Sequence, residues 1–153
     1  MTTNDKETLS LADAVTHLLE ECRMVLPGVQ ALFGFQLIAV FNAAFASKLS
    51  QDEQRLHLVA LALVAISGAL IMTPAAYHRQ TRPREASARF LELGSLLLLC
   101  SMVPLMAGIG LDFYLIARLI LGQVAPAAIA AALLFAFFGA CWFALPRLLP
   151  PPR

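Results

Sequence analysis

The sequence predicts an all-α protein, a four-transmembrane-helix bundle with an N-terminal amphipathic interfacial helix. Three observations carry this reading. Hydrophobic residues make up 59% of the 153 positions and charged residues 14%, with a mean hydropathy of +0.75. Soluble domains sit near half apolar and a quarter charged, and a chain this short has too little interior to hide so much apolar surface. The sequence also holds four runs that match the roughly 20 apolar residues a helix needs to cross a bilayer. The connections between them are short, so residues 1–153 form a single integral membrane domain.

The elements follow in order. Residues 8–24, TLSLADAVTHLLEECRM, have helical periodicity. Leu11, Val15, Leu18, Leu19 and Cys22 share an apolar face, while Asp13, Thr16, Glu20 and Arg23 lie around the other. Ser10, with Asp13 three residues on, is a candidate N-cap. Such a helix lies on the cytoplasmic leaflet or, because its polar face is acidic, against another helix or subunit. Pro27-Gly28 should then mark a break or sharp kink at Leu26–Gly28, since proline suits a helix's first turn and not its interior.

The spans are expected at about 25–46, 57–77, 90–110 and 124–145. Pro74 and Pro104 fall inside the second and third. Residues 111–121, with Asp112 and Arg118, are too apolar for an ordinary loop and read as a short interfacial or re-entrant segment on the outer side. In the fourth span Ala128, Ala132, Ala136, Ala140 and Ala144 recur every four residues. Ala65, Ala69 and Thr73 repeat the device in the second. Small residues at that spacing let membrane helices approach closely, and the pattern leaves open whether the partner helix belongs to the same chain.

Lysine and arginine placement sets orientation. With the N-terminus inside, Lys6, Arg23, Arg79, Arg82, Arg84, Arg89, Arg147 and Arg153 are cytoplasmic, against Lys48, Arg55 and Arg118 outside. Both termini are therefore expected in the cytoplasm, and the protein in the inner membrane of a bacterium. Trp142 and Phe143, just before Arg147, fit an aromatic belt.

Polar residues inside lipid are functional candidates by default. Gln30, Gln36 and Asn42 lie in the first span on three different faces. Gln30 shares a stripe with Arg23, and Asn42 shares one with Glu21. Glu92, near Arg89 at the start of the third span, should meet His78 and Arg79 at similar depth as a boundary clamp or a cation site. On the other side Asp112 and Arg118 are expected to pair or to line an entrance.

Several function classes are excluded. A net charge of +1 gives no basic footprint for nucleic acid. Cys22, Cys100 and Cys141 lie far apart and make neither a disulfide framework nor a zinc site. His57 and His78 stand at opposite ends of one span, with His17 outside lipid, so bis-histidine haem ligation is not expected. No metal site, cofactor or catalytic grouping is read, and no enzyme is expected.

Two stretches carry a resemblance. They are E-x-R-x-x-x-P-G-x-Q-x-L-x-G-F (Glu21, Arg23, Pro27, Gly28, Gln30, Leu32, Gly34, Phe35) and T-P-A-A-Y-H-R (Thr73 to Arg79). With them the chain resembles, from about Leu11 to Leu145, a bacterial group of short four-span membrane proteins of unknown function. Members are sometimes labelled sodium:proton antiporters. Known antiporter folds use inverted repeats and broken helices with midplane carboxylates, and neither feature is evident here. The resemblance implies the architecture and leaves two functions open. One is a homo-oligomeric channel or small transporter; the other is a membrane scaffold or accessory subunit that docks a partner protein through its N-terminal helix. A quinone- or haem-binding redox module is a third, resting on scattered histidines and aromatics.

Overall fold

A computed structural model describes residues 3–81 and 88–149, with side chains from residue 11 onward except that of residue 81. The described residues are helical: α1 (Thr3–Val40), α2 (Ala43–Lys48), α3 (Gln51–Thr81), α4 (Ala88–Leu121), α5 (Val124–Gly139), a π-helical turn (Ala140–Ala144) and α6 (Leu145–Leu148). Four stretches are long and apolar enough to cross a membrane: Leu11–Val40, Gln51–Gln80, Ala88–Leu121 and Val124–Leu148. Thirty residues of helix rise about 45 Å, more than the ~30 Å of a hydrocarbon core, so the bundle stands proud of the lipid.

The long helices alternate in direction. Leu18 near the start of α1 packs on Gly94 near the start of α4, and Val29 packs on Gly68 of α3. Tyr77 and His78, late in α3, meet Phe90 of α4 with ring centroids 5.9 and 5.7 Å apart. α3 and α4 form the central pair, α1 lies against both, and α5 packs on α4.

Each inner helix buries a seam at alternating three- and four-residue spacing, the period of left-handed helix packing. On α1 the seam holds Val15, Cys22, Val29 and Gln36, seven apart. On α3 it runs His57, Ala60, Val64, Ser67, Ile71, Pro74. On α4 it runs Gly94, Leu98, Ser101, Gly108 and Leu115. The backbones of α3 and α4 approach closely at Gly108, where a Cβ would lie 3.0 Å from the Ala60 carbonyl oxygen. Midway along this seam the Ser67 hydroxyl is buried without a hydrogen-bond partner. An orphaned buried hydroxyl costs about 1–3 kcal/mol, so Ser67→Ala is expected to raise the unfolding midpoint in detergent.

Several sequence expectations change here. The helix is unbroken at Leu26–Gly28, Gly28 is not left-handed, and the hinge reading fails. The physical reason is the α1 seam. Val15 and Cys22 lie before Pro27 and Val29 after it, and one helix must present them all to the same core. That burial outweighs the about 3 kcal/mol that an interior proline costs. The N-terminal stretch is therefore no separate interfacial helix. It begins at Thr3, so Ser10 is not its cap, and its apolar face is buried with Phe90 and Leu98 of α4 rather than laid on lipid.

The first span ends at Val40, not near 46. Asn42 leaves it and caps α2, its Oδ1 accepting from the Ala44 N–H at 2.9 Å. Ser50 and Glu53 then start α3 six residues earlier than expected with a reciprocal capping box, Ser50 N–H donating to Glu53 Oε2 at 2.8 Å and Glu53 N–H to Ser50 Oγ at 3.4 Å. Residues 111–121 are the uninterrupted end of α4, not an interfacial segment. That helix stops at Gly122, whose φ of 67° turns the chain within two residues into α5, a conformation glycine adopts without strain.

The five alanines at 128, 132, 136, 140 and 144 are all exposed, as are Ala65, Ala69 and Thr73. The face of α5 turned to α4 carries Ala127 instead, with Phe135 beside Gly110. The small-residue lines thus lie on the exposed faces of their helices. Trp142 lies on Phe138 with centroids 4.8 Å apart, half-buried in the π turn.

Candidate functional site

The polar groups gather at one end of the bundle, where the three seams finish. α1 brings Gln36, α3 brings His57 and α4 brings Asp112. His57 Nδ1 lies 3.0 Å from Asp112 Oδ1, and its Nε2 lies 3.0 Å from the Gln36 backbone oxygen. The Gln36 side-chain Nε2 donates to Asp112 Oδ2 at 2.5 Å. Phe45 of α2 sets its ring edge-on to the imidazole at 5.3 Å. The side chains of His57 and Asp112 are 9% and 17% exposed.

This geometry fixes the proton count. A carbonyl oxygen only accepts, so Nε2 of His57 carries a hydrogen. Nδ1 then either donates to a carboxylate or accepts from a carboxylic acid. Both arrangements hold one proton between Nδ1 and Oδ1 and leave the pair without net charge. That is the form in which a buried histidine and aspartate cost least.

Closer to the end of the bundle, Glu53 and Arg118 lie 3.7 Å apart. The expected pairing of Asp112 with Arg118 is therefore replaced by two cross-helix pairs, both on α3. On the α4 helix the two residues stand six apart, which places them on different faces.

A cavity of about 400 Å3 opens beside the triad, bounded by the end of α1, by α2 and by α4. It is lined by apolar side chains, among them Leu32, Phe45, Leu115 and Leu119, and by Gln36, His57, Asp112 and Lys48. The buried oxygen Gln36 Oε1 has no partner.

The other sequence candidates are dispersed. Glu21, Arg23, Gln30, Arg79 and Glu92 are exposed. Among the described residues none of them makes an ion pair, so the structure assembles no clamp of Arg79, Arg89 and Glu92; His78 packs on Phe90 instead. Asn42 lines the cavity as a helix cap. Of the first-span amides only Gln36 joins the site. His57 was legible as a polar residue at a span edge, and its place on the α3 seam, seven residues before Val64 and fourteen before Ile71, was the signal that it points inward. Among the described residues no cluster of three or more histidine, cysteine, aspartate or glutamate side chains suits a metal ion.

Four long apolar helices with a buried histidine–aspartate pair near one end define a multi-pass membrane protein. The chain belongs to the family of unknown function DUF6328, whose pattern matches residues 5–146. Neither the curated proteins nor the solved structures searched contain a match.

Proposed function

We propose that this protein is a non-enzymatic channel or small transporter of a bacterial inner membrane, and that the His57–Asp112 pair loads and releases its proton. The observation that carries this is the pair itself: two titratable side chains 3.0 Å apart beside a cavity, 9% and 17% exposed. Ionisable groups persist within a membrane protein chiefly where they serve a pathway.

The core beyond His57 is closed by Ala60, Val64, Ser67 and Ile71, none of them more than 1% exposed. With that seam closed, transport on this reading requires a homo-oligomer, and the exposed alanine line at 128, 132, 136, 140 and 144 is the surface suited to it. Arginines 23, 79, 89 and 147, with Lys6, Arg82, Arg84 and Arg153 outside the described side chains, favour cytoplasmic termini, and on that reading the triad belongs to the opposite face. The second reading, a scaffold or accessory subunit, draws on the polar face of α1, where Asp13, Glu20 and Arg23 stay exposed for a partner protein.

Proteoliposomes carrying an internal pH dye separate these. Under an imposed potential the wild type is expected to pass protons faster than empty vesicles, and Asp112→Asn to fall back to their level. Equal dye traces for wild type and empty vesicles over a wide pH range would sink the transport reading.

A further inference from the structure

Past Gln36 the chain is loosely held. From residue 37 to residue 48 every side chain except that of Phe45 is exposed. The helix breaks at Phe41 and Asn42, and α2 buries no residue. This strap is fastened at its root by Gln36 and midway by Phe45, whose ring stands edge-on to His57. At its far end the Leu49 carbonyl oxygen accepts from Gln54 Nε2 at 2.9 Å. Segments with so few buried contacts open at low cost.

The root depends on a hydrogen count. His57 Nε2 faces the Gln36 backbone oxygen at 3.0 Å and Nδ1 faces Asp112 Oδ1 at 3.0 Å. Both contacts are made only while imidazole and carboxyl hold two hydrogens between them, one on Nε2 and one between Nδ1 and Oδ1. Remove one, and a single hydrogen is left with an acceptor on either side of the ring. The carboxylate is the stronger acceptor, so that hydrogen settles on Nδ1. The bare Nε2 then points its lone pair at the Gln36 carbonyl oxygen. Two buried acceptors face to face lose their bond and repel.

We infer that the His57–Asp112 pair is the catch of a pH-operated strap: when it gives up its shared proton, the Gln36 carbonyl is released and residues 37–48 swing away from α3 and α4. The inference rests on the proton exchange proposed above and not on any flux. The groups around the catch leave that proton in command. Lys48 of α2 lines the same cavity. Glu53 of α3 and Arg118 of α4 pair with each other, as do the exposed Asp52 and Arg55. Tyr114 of α4 is half-buried two residues from Asp112; α1 carries no charge after Arg23, and α5 none at all. Asp112→Asn separates charge from shape. The amide can donate to Nδ1 and accept from Gln36 Nε2, so all three contacts persist with no carboxyl to deprotonate.

The test uses the full-length protein in phosphatidylcholine nanodiscs without any gradient. Spin labels are placed at the exposed positions Ala46→Cys on α2 and Phe113→Cys on α4, with Cys22→Ala, Cys100→Ala and Cys141→Ala to remove the native thiols. Distances are measured from about pH 4 to about pH 10, which spans the ordinary aspartate and histidine values and well above them. A longer-distance population is expected to grow with pH, the open-to-closed ratio rising about tenfold per pH unit as one proton leaves. Asp112→Asn is expected to hold the short distance throughout. A control pair, Leu58→Cys on α3 with Phe113→Cys, should not change. Should the thiol-free chain fail to fold, hydrogen exchange of the unsubstituted protein, corrected for its intrinsic pH dependence, reads the same event. Protection of residues 37–48 should then fall as pH rises, while that of residues 60–71 holds. A distance that ignores pH, a control pair that loosens together with the strap, opening only on acidification, or an Asp112→Asn strap that opens like wild type each overturns the inference. Proton flux that fails in liposomes while the strap still opens sinks transport alone; flux that persists with a strap that never opens sinks the strap alone.

Discussion

Asp112→Leu is expected to destabilise the protein by about 3–5 kcal/mol, the cost of removing one member of a buried charged pair. Two groups lose their partner at once. His57 Nδ1 faces an apolar wall, and Gln36 Nε2 loses the carboxylate oxygen to which it donates. His57→Leu is expected to be costly for the converse reason, because it strands the carboxylate. The double variant His57→Leu/Asp112→Leu should cost clearly less than the two single losses added together, since the residual packing is then hydrocarbon against hydrocarbon. Interaction energies of about 0.5–3 kcal/mol are usual for groups in direct contact. Asp112→Asn keeps the shape but removes the site for the shared proton, and should fall between wild type and Asp112→Leu. Equilibrium unfolding in a defined mixed micelle gives all four values. Strict additivity would show that the pair is not a unit.

Gly108→Leu should be the most damaging single change outside the triad. Even the first atom of a new side chain would meet Val64 Cγ2 at 2.8 Å and the Ala60 carbonyl oxygen at 3.0 Å. The second of these is backbone, which cannot turn aside. Gly108→Ala is therefore expected to cost about 1–3 kcal/mol, as overpacking of a tight core does, and leucine more, by prising α3 from α4. Two other glycines serve as controls. At Gly94 the obstacle is the end of the Leu18 side chain, which can rotate, so Gly94→Ala should be mild. Nothing lies within 4 Å of a Cβ at Gly28, and Gly28→Ala should stabilise α1 by about 0.5–1 kcal/mol through helix propensity alone. Thermal unfolding of the three variants side by side checks the order. If Gly108→Ala unfolds like Gly28→Ala, the close approach of α3 and α4 is not real.

The spans were legible because length and hydropathy are properties of one segment at a time. The site was not, because it joins residues 21, 55 and 76 positions apart, and no spacing within one helix reveals which face its neighbour covers. The face of α1 that carries Gln30 is exposed and points away from the site. A different stripe was available. Val15, Cys22, Val29 and Gln36 repeat every seven residues, as do His57, Val64 and Ile71, and Leu98, Leu105 and Asp112. Each line is apolar except for one polar member at the same end of the bundle. Local proline chemistry favours a hinge at Pro27-Gly28, and the tertiary burial of Val15, Cys22 and Val29 on one seam overrides it. The start of α3 is legible locally, because Ser50 and Glu53 form an S-x-x-E capping box.

The two-residue turn at Gly122–Gln123 also bears on how the protein enters its membrane. With so little chain between them, α4 and α5 must insert together as a hairpin, carrying Asp112 and Arg118 into the bilayer on one arm. Synthesis runs from the N-terminus, so Gln36, Glu53 and His57 are already in place when that hairpin arrives. Asp112 and Arg118 then each meet a waiting counterpart, His57 and Glu53, and neither is left alone in lipid.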